Sequence, residues 1–405
     1  MRQASVHVET VLEPNQAPLN ELAGIRILVI MPSIPIQGME RKNLQIMGGL
    51  HRLGANVLFV TQRIYGDRSR AEIDRIGCRW TTASFNKLPH LSRNPREMAG
   101  VLYDWIKSAR ELKRICKDFK PTHIHITDLM YFLYAWPMVM SSSARAIFSL
   151  PVPPDTELIR WKQRLSNLVW RFGIARACDT IICNSQYTLS QLKKIGVKTR
   201  KVKVIYNCVP ERTAVEKSDA PRVDSGKFNI VFMGRICADK GVKELIDAAF
   251  QVVSEREDVD FYLAGQHNWR NPFAEALIEE VRTRNLESRI RFLGEIYDVM
   301  GLLAQCDLHI CPSVWEEPFG LVVLEAKSRS LPSVVFPSGG LKETVEHLVD
   351  GYICDSKSSQ QLYKGMRYFL DNPLVLKTAG EAAKRSLARF SKERCLGDWI
   401  RVLNA

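Results

Sequence analysis

Several features are missing from this chain of 405 residues, and each absence narrows what it does. The longest apolar run, residues 129–140, has 12 residues and contains Pro137, short of the roughly 20 that a membrane-spanning helix needs. The ten cysteines include no C-x2-C pair and no cluster of disulfide type. Scattered free thiols fit a reducing compartment, so the expected location is cytoplasmic, with the inner face of a membrane as the neighbouring surface. Residues 1–22 are polar, contain proline and lack the apolar block of a signal peptide. They are expected to form a mobile extension. No cluster of acids and histidines has metal-ligand spacing, and no metal is expected. Acids are scarce in the first half: residues 1–212 hold 16 Asp and Glu against 32 Lys and Arg, whereas the remainder holds 28 against 25. Such a basic half favours nucleic acid, anionic lipid or phosphorylated partners. No nucleic-acid motif accompanies it, which leaves an anionic membrane or a phosphorylated acceptor and argues against nucleic acid.

What is present is a rhythm of short apolar runs and amphipathic stretches, repeated twice. Residues 24–31, 56–61, 122–127, 144–150, 179–185 and 201–207 read as strands, with helices at 40–53 and 97–117 between them. After a polar, aperiodic stretch, strands recur at 228–234, 260–265, 289–294, 307–311 and 331–336. Strand, loop, helix and strand in succession predict an α/β fold of two doubly wound, Rossmann-like domains. The first spans residues 23–212, a linker 213–225, and the second 226–387. The helix at 155–176 has Leu158, Trp161, Leu165, Leu168 and Phe172 on one face. That face is read as domain core, the alternative being a membrane-surface helix.

The most informative stretch runs from Ser313 to Ala326. An apolar strand leads through Glu316-Glu317-Pro318-Phe319-Gly320 into a helix carrying Glu325. A helix start exposes unpaired N–H groups and partial positive charge, so Phe319, Gly320, Leu321 and Val322 offer a seat for phosphate. The carboxylates of Glu317 and Glu325 on either side suit hydroxyl groups. Phosphate between two diol sites describes a nucleotide sugar, with Glu325 on the ribose and Glu317 on the transferred sugar. A loose pair of acids is by itself common on surfaces. Here Pro312-Ser313 precedes the pair and Ala326 follows it, and the whole resembles the signature of the retaining GT-B glycosyltransferases of the large family 4, E-G-F-G-x4-E-A, with Pro318 in place of a glycine.

Other segments carry the same resemblance. Gly234-Arg235-Ile236-Cys237-Ala238-Asp239-Lys240-Gly241 reproduces G-R-x4-K-G. A bidentate guanidinium and a compact ammonium beside a helix start suit a leaving diphosphate. Gly339 and Gly340 match G-G-x-x-E, with Glu343 as the acid. Gln37-Gly38-Met39-Glu40-Arg41 stands where the family shows G-G-M-E-R. His125 takes the first histidine position of D-x-x-H-x-H, and Thr127 the second. A histidine within an apolar alternation is equally a core residue. Tyr206-Asn207-Cys208 keeps the asparagine of I-P-N-G-V and loses its glycine, and Ile296 ends a strand that in the family lies against the base. The segment 388–405 resembles the terminal helix that returns to the first domain. Asp258-Val259-Asp260 spells a metal signature of another glycosyltransferase fold, but at the entry of a strand, and is read as coincidence.

The resemblance implies metal-independent transfer of a sugar from a UDP- or GDP-linked donor to an acceptor hydroxyl, with retention. Glu317, Arg235, Lys240 and His125 would be catalytic. Glu325, Phe319, Gly320, Leu321, Val322, Gly234, Ile296, Gly339, Gly340 and Gly38 would bind the donor. The acceptor is expected to be a saccharide, lipid-linked if the membrane reading holds, in polysaccharide or glycolipid assembly. A nucleotide-sugar epimerase and a catalytically weak nucleotide-sugar-binding protein are the alternatives.

Overall fold

The computed structural model describes residues 20–31, 38–62, 74–85, 95–154, 164, 166–209, 219–266 and 272–405. The extension as far as residue 19 and linker residues 213–218 lie outside them.

A first parallel sheet is ordered β3-β2-β1-β4-β5-β6-β7, from β1 (Arg26–Ile30), β2 (Asn56–Thr61), β3 (Arg79–Thr82), β4 (His123–Ile126), β5 (Arg145–Leu150), β6 (Thr180–Cys183) and β7 (Val202–Val204). A second is ordered β10-β9-β8-β11-β12-β13, from β8 (Phe228–Met233), β9 (Val259–Ala264), β10 (Ile290–Gly294), β11 (Leu308–Cys311), β12 (Ser333–Val335) and β13 (Gly351–Ile353). The order reverses beside β1 in one sheet and beside β8 in the other, and such reversals open a crevice at the carboxyl ends of the strands. The α/β reading thus stands, as a GT-B arrangement of two such domains.

Strands that are apolar on both faces explain why. In the second sheet Ile230, Phe232, Phe261 and Leu263 pack with Val242, Leu245 and Ile246 of the helix Val242–Glu255. On the other face Val231, Met233, Tyr262 and Ala264 pack with Leu302 and Leu303. The final helix, Lys392–Asn404, joins the first domain's core through Cys395, Trp399, Val402 and Leu403. It crosses close to Gly49, where a Cβ would meet Leu396 at 2.8 Å.

Some expectations are corrected. Leu22, placed in the mobile extension, is 1% exposed and its N–H donates to the Leu53 carbonyl at 2.9 Å. Strands β3 and β13 were not anticipated: they are short edge strands, and β3 reads Arg-Trp-Thr-Thr, too polar to register as an apolar run. After Gly340 the helix is a single turn, Leu341–Thr344. In the segment 155–176, Leu158, Trp161 and Leu165 fall outside the described residues, while Leu168 and Phe172 are half exposed and Trp170 is buried. A π-helical turn at Val169–Ile174 widens the ring of hydrogen bonds there and rotates the buried face away from its α-helical register. Asp260 is fully buried and paired with Lys227, Arg289 and Arg291, which gives the D-x-D acid a structural role.

The helix Leu321–Ser328 is pinned from below. Lys327, 1% exposed, pairs with Asp350 at 2.5 Å and donates to Ser386 Oγ at 2.9 Å. Removing one member of a buried pair strands the other charge. Lys327→Ala is therefore expected to destabilise the fold by about 3–5 kcal/mol, seen as a lowered urea midpoint; a loss below about 1 kcal/mol, the range of exposed pairs, would show the pair to be solvated.

Candidate active site

The loops after β8, β11 and β12 leave adjacent strands at one edge of the second sheet and interlock there. After β8 the chain makes a turn at Ala238–Lys240, closed by Gly241 at φ +68°, where a Cβ would lie 1.8 Å from the Pro312 carbonyl oxygen. Only glycine allows that approach. The Asp239 carbonyl accepts from the Trp315 N–H at 3.0 Å and from Ser313 Oγ at 3.2 Å, binding the first loop to the second. Ser313 Oγ also lies 3.0 Å from Glu317 Oε1, the oxygen that takes the Lys240 ammonium in an ion pair. Lys240 stands 5.6 Å from the centre of the Trp315 ring.

The third loop is the floor. The Gly340 N–H donates to the Glu317 carbonyl at 2.7 Å, and the Gly339 N–H to the Glu316 carboxylate at 2.5 Å. A Cβ on Gly339 would come within 2.2 Å of the Glu317 carbonyl oxygen, and one on Gly340 within 2.4 Å of that of Pro318. Lys357 steadies the other side of the loop, donating to Glu316 at 2.6 Å and to the Val314 carbonyl at 2.7 Å. Gly320, at φ +98°, then starts the helix Leu321–Ser328 with no side chain capping it.

A cleft of about 320 Å³ opens above these loops. The second domain contributes Gly234, Lys240, Ser313, Trp315, Glu317 and the run Phe319, Gly320, Leu321 and Val322 to its wall. The first domain contributes Lys42, Pro151, Val152, Asn184 and Asn207. Glu317, Lys240, Gly234 and the helix start are thus brought together as expected from the sequence.

Other expected residues sit elsewhere. Arg235 is exposed beside Gly234. Glu325 is 5% exposed within its helix and is not part of the cleft lining. Ile296 packs beside Leu293, Met300 and Val322 in the second domain. Gly38 is the first residue of the helix Gly38–Arg52. Gly339 and Gly340 lie beneath the Glu317 loop with their N–H groups already committed to it, so their place is to position that loop. His125 is corrected most clearly. It is fully buried in β4, its Nε2 is 2.7 Å from Ser149 Oγ, and its ring meets the edge of Trp399 at 4.9 Å. Burial, then the nearby Lys42, pulls its pKa down to about 3, so it is a neutral core group.

The two domains meet around the same loop. Ser185 Oγ, at the start of the helix Gln186–Lys194, donates to the Pro318 carbonyl at 2.6 Å. The Glu343 carboxylate takes the N–H groups of Gln186 and Tyr187, both at 2.8 Å, and the Tyr206 hydroxyl at 3.0 Å. It caps a first-domain helix from across the cleft, satisfying donors that a helix start leaves open. Tyr206, Phe319 and Phe390 form an aromatic trio with centroids 5.6–5.9 Å apart. Sequence reading missed Lys42 and Asn184 altogether; Asn207 had been noted only as a motif remnant.

Two family models divide the chain: Glycosyltransferase Family 4 over residues 36–212 and Glycosyl transferases group 1 over residues 215–386. Both models describe glycosyltransferases, and together they cover most of the chain. Among the relatives of this glycosyltransferase is an uncharacterized glycosyltransferase of Haemophilus influenzae, 22% identical over 90% of this chain and 96% of that one. Another is the N-acetyl-alpha-D-glucosaminyl L-malate synthase of Bacillus anthracis, 25% identical over 58% of this chain and 61% of that one. Anabaena HepE, solved in complex with UDP and glucose, shares the fold at a TM-score of 0.75 and 19% identity, covering 94% of this chain and 99% of its own. WaaG, a glycosyltransferase of lipopolysaccharide biosynthesis, does so at 0.64 and 16%, over 94% and 99%.

Gly340→Ala is expected to push the Pro318 carbonyl out of place and weaken nucleoside diphosphate binding by about tenfold or more, at a cost of about 1–3 kcal/mol in stability. Calorimetric titration checks this, and unchanged affinity would show that the floor does not set the loop. His125 and its counterpart His309 in β11, both fully buried with pKa about 3 against an ordinary 6.5, also make acid sensitivity testable. As pH falls below 6.5 the unfolded chain takes up their protons first, so stability present above 6.5 is lost towards pH 3, at up to about 1.4 kcal/mol per unit for each histidine. The urea midpoint of His309→Gln is expected to fall less between pH 7 and 5 than that of the wild type; parallel slopes would contradict the assignment.

Proposed function

We propose that this protein is a retaining, metal-independent glycosyltransferase that moves a sugar from a nucleoside diphosphate donor, UDP- or GDP-linked, to an acceptor hydroxyl in the cleft. The observation that carries the reading is the meeting of Lys240 and Glu317 beside the uncapped helix start at Gly320. An ammonium has three donors, so Lys240 holds the carboxylate and still faces a diphosphate. With Arg235, exposed beside the lining residue Gly234, and the N–H groups of the helix start, it stabilises the charge that develops as the sugar–phosphate bond breaks. Two cations and a helix start offset that charge without a metal. Glu317, fixed by Ser313 and Lys240, presents its remaining acceptor sites to sugar hydroxyls.

Glu317 is the single acid among the described residues lining the cleft. Among the described lining residues no second carboxylate stands across from it to act as a separate base. The acceptor proton then passes to the departing phosphate on the same face, which gives retention. Binding of UDP and glucose by HepE supports a nucleotide-sugar donor. Assembly of cell-surface polysaccharide or glycolipid at an inner membrane face is the setting that suits the basic first half, where Leu102, Tyr103 and Phe172 are exposed. Among the described residues no helix is long and apolar enough to cross a membrane.

UDP or GDP is expected to raise the melting temperature, since a ligand of the folded state adds stability with its affinity. Lys240→Ala and Glu317→Ala should each lower turnover by roughly a hundredfold or more, whereas Glu325→Ala should chiefly raise the donor KM. Near-wild-type transfer by Lys240→Ala would refute the assignment. Donor incubated alone should keep its sugar configuration, and a changed sugar would indicate an epimerase.

A further inference from the structure

We propose that Lys42 is an anion-recognising group on the first-domain wall of the cleft, and that the acceptor carries a carboxylate or phosphate close to the hydroxyl that receives the sugar. The proposal rests on the transferase reading for the word acceptor; the binding of an anion at Lys42 does not.

Lys42 projects from the helix Gly38–Arg52 and lines the same cleft as Lys240 and Glu317. Among the described residues no carboxylate pairs with it. The one acid of the described lining, Glu317, is already held by Lys240 and Ser313. Burial draws the Lys42 amine below the ordinary lysine range, and the buried thiols of Cys395 and Cys208 oppose that shift; Lys42 in turn acts on the fully buried His125 ring and helps draw the Cys208 thiol down. A thiol is a poor fixed counter-charge. An ammonium withdrawn from water without an opposite charge is costly, and a ligand anion offsets that cost.

In the transferase reading the diphosphate does not need this lysine, because Lys240 and the helix start face the cleft from the second domain. Lys42 comes from the other wall, the side from which the second substrate must enter. Asn207 strengthens the placement. It lines the same wall, is 4% exposed, and its buried Oδ1 meets no hydrogen-bond donor among the described residues. Buried polar atoms are rarely left so; a hydroxyl-bearing ligand supplies the donor. A cation and an orphaned acceptor on one wall together describe a hydroxylated anion. Lysine, a point charge rather than a planar fork, accepts carboxylate and phosphate alike.

The test uses the full chain with UDP or GDP at saturation and two matched pairs of probes: phenyl β-D-glucuronide against phenyl β-D-glucoside, and glucose 6-phosphate against glucose. The wild type is expected to bind at least one charged probe about tenfold or more tighter than its neutral partner. The pair that discriminates tells carboxylate from phosphate. Lys42→Met should erase the preference, Lys42→Arg should retain part of it, and both variants should bind the nucleoside diphosphate as the wild type does, which also shows them folded. Equal affinity within both pairs, no binding of any probe, or a preference that survives in Lys42→Met would overturn the proposal. A tenfold loss of diphosphate affinity in Lys42→Met would overturn it too, by assigning the lysine to the donor. If neither diphosphate binds the wild type, the donor reading fails, and the preference for charged probes is read on the protein alone.

Discussion

The Glu317 carboxylate is held by groups from two loops while its backbone rests on a third, and the rest of the second domain exists to keep it there. Lys240 and Ser313 fix the side chain, Gly340 fixes the carbonyl, and Gly241 allows the first two loops to close against each other. Such over-determination is what a site needs if it is to act on charge developing in a transition state without reorganising. The buried Lys327–Asp350 pair anchors the helix that follows, so loop and helix start are placed from both ends.

The loop is also where the two domains touch. Ser185 reaches the Pro318 carbonyl, and Glu343 crosses to cap the helix that Ser185 begins. These are polar contacts to backbone, directional and short in reach. Together with the apolar cluster of Phe319, Leu324, Phe390 and Tyr206, they give the arrangement a defined geometry.

Much of the fold was legible because parallel strands buried on both faces are written as unbroken apolar runs, and the runs at 56–61, 228–233 and 308–311 could hardly be anything else. Edge strands escaped for the opposite reason: β3, half in water, has no such run. Of the site, the motif-bearing loops could be read, since Gly241, Gly320 and Gly339 hold positive φ that few other residues tolerate. The first-domain wall could not. Lys42 is the one lysine of its helix but stands beside Glu40 and Arg41 with nothing in the spelling to set it apart, and only folding reveals that it turns inward beside buried thiols. His125 shows the converse limit, since a histidine in an apolar strand has the same spelling whether it serves chemistry or, as here, packs under Trp399.

The aromatic trio has a thermodynamic consequence. Phe319 belongs to the Glu317 loop, which the proposed function makes the donor loop, Tyr206 to the end of the first domain, and Phe390 to the crossover that precedes the final helix. Separating the lobes must strip Phe319 of its packing partners, so the donor loop in an open molecule is not the same object as in a closed one. If that loop holds the donor as proposed, donor binding and lobe closure are linked, and the factor by which closure raises donor affinity is the factor by which bound donor favours closure.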